Sequence, residues 1–177
     1  MLQIYTGNGK GKTTAALGLA VRAVGAGKRV GIIYFDKGGE THYSERAVLR
    51  ERFVGVIAFV STGLDRIDPV THEFRFGVTE ADKQEAHRGL DVAREWIASK
   101  QFDLIILDEI NSTTALGMIS VDDVLEVLRG RPKELELVLT GRDAPDAFTE
   151  LADLVTDMTL VKHYFYDSVP AREGFDY

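Results

Sequence analysis

The sequence predicts an α/β fold, a mainly parallel sheet with helices on both faces. Three observations carry that expectation. Short apolar runs rich in Val, Ile and Leu recur along the chain, they lack strict polar alternation, and helical stretches separate most of them. A strand buried on both faces reads as such a run, and alternation with helices brings strands together in parallel.

Taken in order, Leu2–Tyr5 is the first expected strand, and Thr13–Ala26, dense in small apolar residues, is the first helix. Arg29–Phe35 is the second strand, Ser44–Arg52 a short charged helix and Val54–Val60 the third strand. Residues 61–78 fit neither period, and a loop of that length is usually functional or mobile. Glu80–Lys100 is long and amphipathic, with Thr79 and Asp82 spaced as an N-terminal capping pair. Leu104–Leu107 is the fourth strand, and Val121–Arg129 is a helix with Ser120 as its cap. Leu135–Leu139 is the fifth strand, followed by a helix near Ala144–Ala152 with Pro145 in its first turn and a sixth strand over Leu154–Leu160. The tail Lys162–Tyr177 is irregular and aromatic. At 177 residues, with no repeat or linker, one domain over residues 1–177 is expected.

Composition narrows the function. A net charge of −7 argues against sequence-independent nucleic-acid binding, which needs a basic surface. With no cysteine there is no disulfide, thiolate metal site or cysteine nucleophile, which fits a cytoplasmic protein. The first expected strand begins at Leu2, so no signal peptide is expected, and the apolar runs are too short to cross a membrane.

The strongest local signal is Thr6-Gly7-Asn8-Gly9-Lys10-Gly11-Lys12-Thr13-Thr14, between an expected strand and helix. Glycines let backbone N–H groups converge on phosphate oxygens, and the helix N-terminus adds positive potential. Lys12 supplies charge, and the Thr13 hydroxyl can meet magnesium. The usual pattern has glycine where Thr6 stands. The run Phe102–Glu109 is an apolar strand ending in Asp108 and Glu109, the carboxylates a magnesium ion beside a phosphate loop would need. The pairing points to a P-loop NTPase, RecA-like fold. Spacing leaves open which carboxylate is the inner ligand.

Three segments together resemble the corrinoid adenosyltransferases of the CobA/BtuR type. They are Thr6–Ala16 with its missing glycine, Leu107–Ile110 followed by a helix ending Arg129-Gly-Arg-Pro132, and Leu139-Thr-Gly-Arg-Asp-Ala-Pro145 with Ala152–Met158 and Lys162-His163. The closing Gly174-Phe-Asp-Tyr177 also looks like that family's ending. The middle loop departs from the family's Gly-Phe-Thr-Trp stretch, reading Phe74-Arg75-Phe76-Gly77-Val78-Thr79.

The resemblance implies that a cob(I) corrinoid attacks C5′ of ATP and that triphosphate leaves. The nucleophile carries no proton, so no general base is needed. Lys10, Lys12, the loop N–H groups and magnesium at Thr13 with Asp108 or Glu109 would stabilise the leaving charge. The resemblance also implies that ATP lies reversed, with the γ-phosphate deepest, and offers Asn8 for the ribose and Arg22 for the adenosine end. Arg22 reads equally well as a solvent-facing helix residue. Arg142, after the fifth strand, is a candidate for phosphate or for holding a neighbouring loop. Phe74 and Phe76, and behind them Tyr164, Phe165 and Tyr166, are the aromatic candidates for a corrinoid face, with core packing as the competing role for each. A homodimer and a reductase or flavoprotein electron donor complete the implied picture. The alternative is a P-loop ATPase or kinase with a different acceptor.

Overall fold

The computed structural model describes residues 1–39, 43–66 and 75–176. Six strands form one sheet in the order β3-β2-β4-β5-β1-β6, and every pairing is parallel. They are β1 (Leu2–Thr6), β2 (Val30–Tyr34), β3 (Ile57–Ser61), β4 (Leu104–Asp108), β5 (Glu136–Thr140) and β6 (Leu154–Asp157). The helices are α1 (Lys12–Gly25), α2 (Ser44–Arg52), α3 (Glu80–Ser99), α4 (Ile110–Ala115), α5 (Val121–Gly130) and α6 (Asp146–Leu151).

The side-chain period of a strand divides the core in two. Val30, Ile32 and Tyr34 of β2, with Leu104 and Ile106 of β4, pack with Ala16 and Ala20 of α1 and Leu49 of α2. Their neighbours Ile33, Ile105 and Leu107 join the opposite layer, with Leu90 and Ala93 of α3, Val124 and Leu128 of α5 and Phe148 of α6. Strands covered on both faces need no polar alternation, which is why the central runs read as continuously apolar. The edge strand β6 is exposed along its length.

Most expected elements recur within a few residues, and the differences have local causes. The third strand starts at Ile57 because residues 53–57 close α2: Gly55 takes φ 78° and the Ile57 N–H donates to the Phe53 carbonyl at 3.0 Å. The sixth strand stops at Asp157 because the chain then turns onto the phosphate loop. Helix α4 was not expected. Its polar side chains are accommodated because Thr113 and Thr114 return their hydroxyls to the carbonyls of Glu109 and Ile110, each at 2.8 Å. The capping pair is present: the Asp82 N–H donates to Thr79 Oγ1 at 3.3 Å and the Thr79 N–H to Asp82 Oδ2 at 2.7 Å. Ser120 caps α5, and Pro145 sits just before the first turn of α6.

Gly31 marks a very close helix–sheet approach. A Cβ there would lie 2.6 Å from Trp96 Cε3 and 2.7 Å from Cζ3, while Trp96 is itself packed on Phe102 at 4.7 Å. Gly31→Ala is expected to destabilise the fold by about 1–3 kcal/mol through overpacking. Urea denaturation measures this, and an unchanged midpoint would contradict the packing.

Candidate functional site

The loop from Thr6 to Thr14 joins β1 to α1, and its shape is fixed from behind. Thr6 Oγ1 accepts the Ala144 N–H at 3.3 Å, the Met158 N–H donates to the Thr6 carbonyl at 2.9 Å, and the Gly9 N–H donates to the Met158 carbonyl at 2.6 Å. A Cβ on Gly7 would collide with Asp157 and one on Gly9 with Met158, and Gly7 also needs its φ of 92°. Both glycines therefore serve the contact with the chain after β6. Asn8 Oδ1 accepts the Leu160 N–H at 3.0 Å in the same contact. Lys12 folds inward and donates to the carbonyls of Gly7 and Gly9 at 2.7 and 2.8 Å. Burial pushes its ammonium pKa down, with the Glu109 carboxylate opposing.

The acidic strand end faces this loop. Asp108 is fully buried at the end of β4; it accepts the Thr140 hydroxyl at 2.6 Å and the Lys37 ammonium at 2.6 Å. Lys37 also donates to Thr13 Oγ1 at 3.1 Å and lies 3.4 Å from Glu109 Oε1. Burial alone would lower the Lys37 pKa, but the carboxylates of Asp108 and Glu109 prevail and hold it well above the usual lysine value. Glu109 has φ 63°, a left-handed conformation that a non-glycine residue adopts at a cost, and its N–H donates to Thr140 Oγ1 at 2.9 Å.

The oxygens of Thr13, Asp108 and Glu109 thus converge on one point. They are hard donors of the kind a magnesium ion takes, with water and phosphate completing its shell. Among the described residues no cluster of three or more His, Cys, Asp or Glu is present.

A cavity of about 700 Å³ opens over the loop, a size that suits a nucleotide. Its walls include Asn8 to Thr14, Lys37, Glu109 and Arg142, then Tyr43, Glu45 and Val48 at α2, and His163, Tyr164, Phe165 and Phe175 of the tail. The tail contains one 3₁₀ turn, Tyr164–Asp167, capped by His163, whose Nδ1 accepts the Phe165 N–H at 3.0 Å. Its Asp176 accepts hydrogen bonds from Lys10 and Tyr164, and the Arg172 guanidinium donates to it at 3.1 Å. Those donors hold the Asp176 carboxyl well below the usual range, with Lys10 first.

Most of the residues singled out from the sequence meet at this cavity. Thr6, Gly7 and Asp108 support it from behind. Arg22 lies exposed toward the far end of α1, outside the cavity wall. Phe76 is 85% exposed, which sets aside core packing for it, and Phe74 lies outside the described residues. Phe165 and Tyr166 are also exposed. Sequence reasoning missed Lys37, Tyr43 and Glu45. A signal for Lys37 was available: a lysine followed by two glycines directly after a strand, at the sheet end where ligands lie.

Comparison with known proteins points to one family. A family model described as ATP:corrinoid adenosyltransferase BtuR/CobO/CobP matches residues 1–177. A corrinoid adenosyltransferase of Pseudomonas aeruginosa is 34% identical over 177 residues, covering 100% of this chain and 83% of that protein. One of Salmonella typhimurium is 35% identical over 174 residues, covering 98% of this chain and 84% of that protein. An uncharacterized protein of Nostoc is 40% identical over 175 residues, and those residues span 92% of this chain but only 44% of that protein. Among solved structures, a KaiC-like protein of Pyrococcus horikoshii superposes with a TM-score of 0.55 at 17% identity, over 88% of this chain and 70% of that one, and shows the fold alone.

The two loop lysines are expected to differ in weight. Lys12 is nearly buried and Lys10 is exposed and tied to the tail. Lys12→Ala should weaken ATP binding by about 2–4 kcal/mol, and Lys10→Ala by about 1 kcal/mol or less. Calorimetric titration reads both, and equal losses would contradict the arrangement.

Proposed function

The chain belongs to the ATP:corrinoid adenosyltransferase family of BtuR, CobO and CobP, and from that premise we propose how its residues divide the transfer of adenosyl from ATP to a cob(I) corrinoid. The new bond joins cobalt to C5′, the C5′–O5′ bond breaks, and triphosphate departs with the bonding pair. The corrinoid brings both the metal and the electrons, so the protein's task is alignment and the holding of negative charge.

The observation that carries the reading is the cavity over the loop. One side is cationic, with Lys10, Lys12, Lys37 and Arg142, and the tail supplies an aromatic wall. In the proposed binding mode the triphosphate lies on the cationic side with its γ-phosphate deepest, leaving C5′ toward the aromatic wall. Gly11, Lys12, Thr13 and Thr14 hold phosphate at the start of α1, and Arg142 meets it from the end of β5. Asn8 keeps its amide nitrogen for the ribose, since its oxygen serves Leu160. Thr13, Asp108 and Glu109 would hold magnesium, which when bound neutralises charge on the departing triphosphate. The corrinoid packs between Phe76, with Phe74 beside it in sequence, and the tail aromatics. Arg22 is the candidate for the adenosine end. We also propose a homodimer, a cytoplasmic setting and a reductase or flavoprotein that supplies cob(I).

The test is anaerobic incubation of the protein with ATP, magnesium and prereduced cob(I)alamin. Cobalt–carbon bond formation, seen in the visible spectrum, should match release of triphosphate one for one. ADP and phosphate without a cobalt–carbon bond would instead make the protein an ATPase or kinase.

Glu109 separates function from stability. Glycine tolerates the left-handed conformation that glutamate adopts there, so Glu109→Gly relieves strain while losing the Ser112 and Lys37 contacts. Folding free energy is expected to change by less than about 1 kcal/mol, while magnesium-dependent transfer falls about tenfold or more. Paired denaturation and rate measurements decide, and undiminished transfer at limiting magnesium would contradict the assignment.

A further inference from the structure

Lys37 stands where the cation of a nucleotide site is needed. Its ammonium is within 3.1 Å of Thr13 Oγ1, 2.6 Å of Asp108 Oδ2 and 3.4 Å of Glu109 Oε1. Those are the oxygens assigned above to magnesium. The backbone that carries Lys37 is tied down separately. Arg46, fully buried in α2, donates to the carbonyls of Lys37 and Gly39 at 2.8 and 2.6 Å. Its guanidinium lies 4.6 Å from the Tyr34 ring centroid and 3.8 Å from that of Tyr43. The stem is held while a flexible four-carbon chain leaves the ammonium able to move.

We propose that Lys37 is a removable counter-ion of the metal site: its ammonium neutralises Asp108 and Glu109 while the site is empty and withdraws when a divalent cation binds. This rests on the magnesium assignment made above. Two carboxylates beside a buried strand end need compensation, and an ammonium and a dication gathered at the same oxygens repel each other. A metal ion arriving alone would strand the ammonium in a space that already holds Lys12 and Arg142. A metal ion arriving with polyphosphate brings the ammonium a new anionic partner in the same cavity. Lys37 therefore sets the order of loading, with poor binding of free metal and good binding of the metal–nucleotide pair.

The test uses Mn²⁺ as the probe, followed by electron paramagnetic resonance, with neither nucleotide nor corrinoid present. In Lys37→Met the uncompensated carboxylates should bind Mn²⁺ about tenfold or more tightly than in the wild type, while Lys37→Arg should stay weak. A purely structural lysine would lower the melting temperature and leave Mn²⁺ affinity unchanged or reduced, and that result in a folded Lys37→Met or Lys37→Gln protein overturns the proposal. The wild type gives an independent reading. The Lys37 ammonium resonance, slow to exchange in the empty protein, should lose its protection on saturation with magnesium and ATP. An unshifted, still protected signal overturns the proposal too. Neither measurement uses the transfer reaction, so this inference and the assigned activity can fail separately.

Discussion

A buried carboxylate must be paired, and the pairing of Asp108 ties the site together. The Thr140 hydroxyl reaches it from the end of β5, and the Lys37 ammonium reaches it from the segment after β2. Lys37 in turn holds Thr13 at the start of α1. The ladders set this up before any side chain is considered: β4 lies between β2 and β5, with Tyr34 beside Asp108 and Leu107 beside Leu139. Parallel strands that end at one level bring their following residues to one edge, and the functional groups lie along it.

Around that centre the molecule holds costs that folding alone does not require. Glu109 keeps a left-handed backbone. Lys12, Lys37 and Arg142 share one cavity, and burial first, then Arg142 and Lys37, depress the Lys12 ammonium. The protein meets the positive charge with its own groups: loop carbonyls for Lys12, carboxylates for Lys37 and the tail's Asp176 for Lys10. An anion with several charges relieves all three together, which is what a polyphosphate site requires.

The sequence made local chemistry legible and left long-range pairing hidden. The glycine-lysine loop and the acidic strand end could be read because each is contiguous and carries its own context. The buried strands were visible in their apolar runs, and the Thr79–Asp82 cap in its spacing. Lys37 was not, because its meaning depends on β2 lying beside β4, which no local period encodes. Helix α4 was hidden by a Ser/Thr-rich sequence that helices usually avoid inside. The glycines at 7 and 9 were read for phosphate alone, while their contact with Asp157 and Met158 comes from a strand end far along the chain.

The position of β1 has a consequence for how the molecule is made. It lies between β5 and β6 and pairs with nothing else in the sheet. During synthesis β1 therefore waits for β5 and β6, made much later, before it can join the sheet, and the phosphate loop waits with it. Vectorial synthesis can pre-pair β2, β3 and β4, but closure is a late event spanning nearly the whole chain, the kind of non-local contact that slows folding. Until then Leu2 and Ile4, both fully buried in the finished protein, are exposed on a nascent chain. For this topology, the interval between making β1 and burying it is the time in which its apolar residues can associate wrongly.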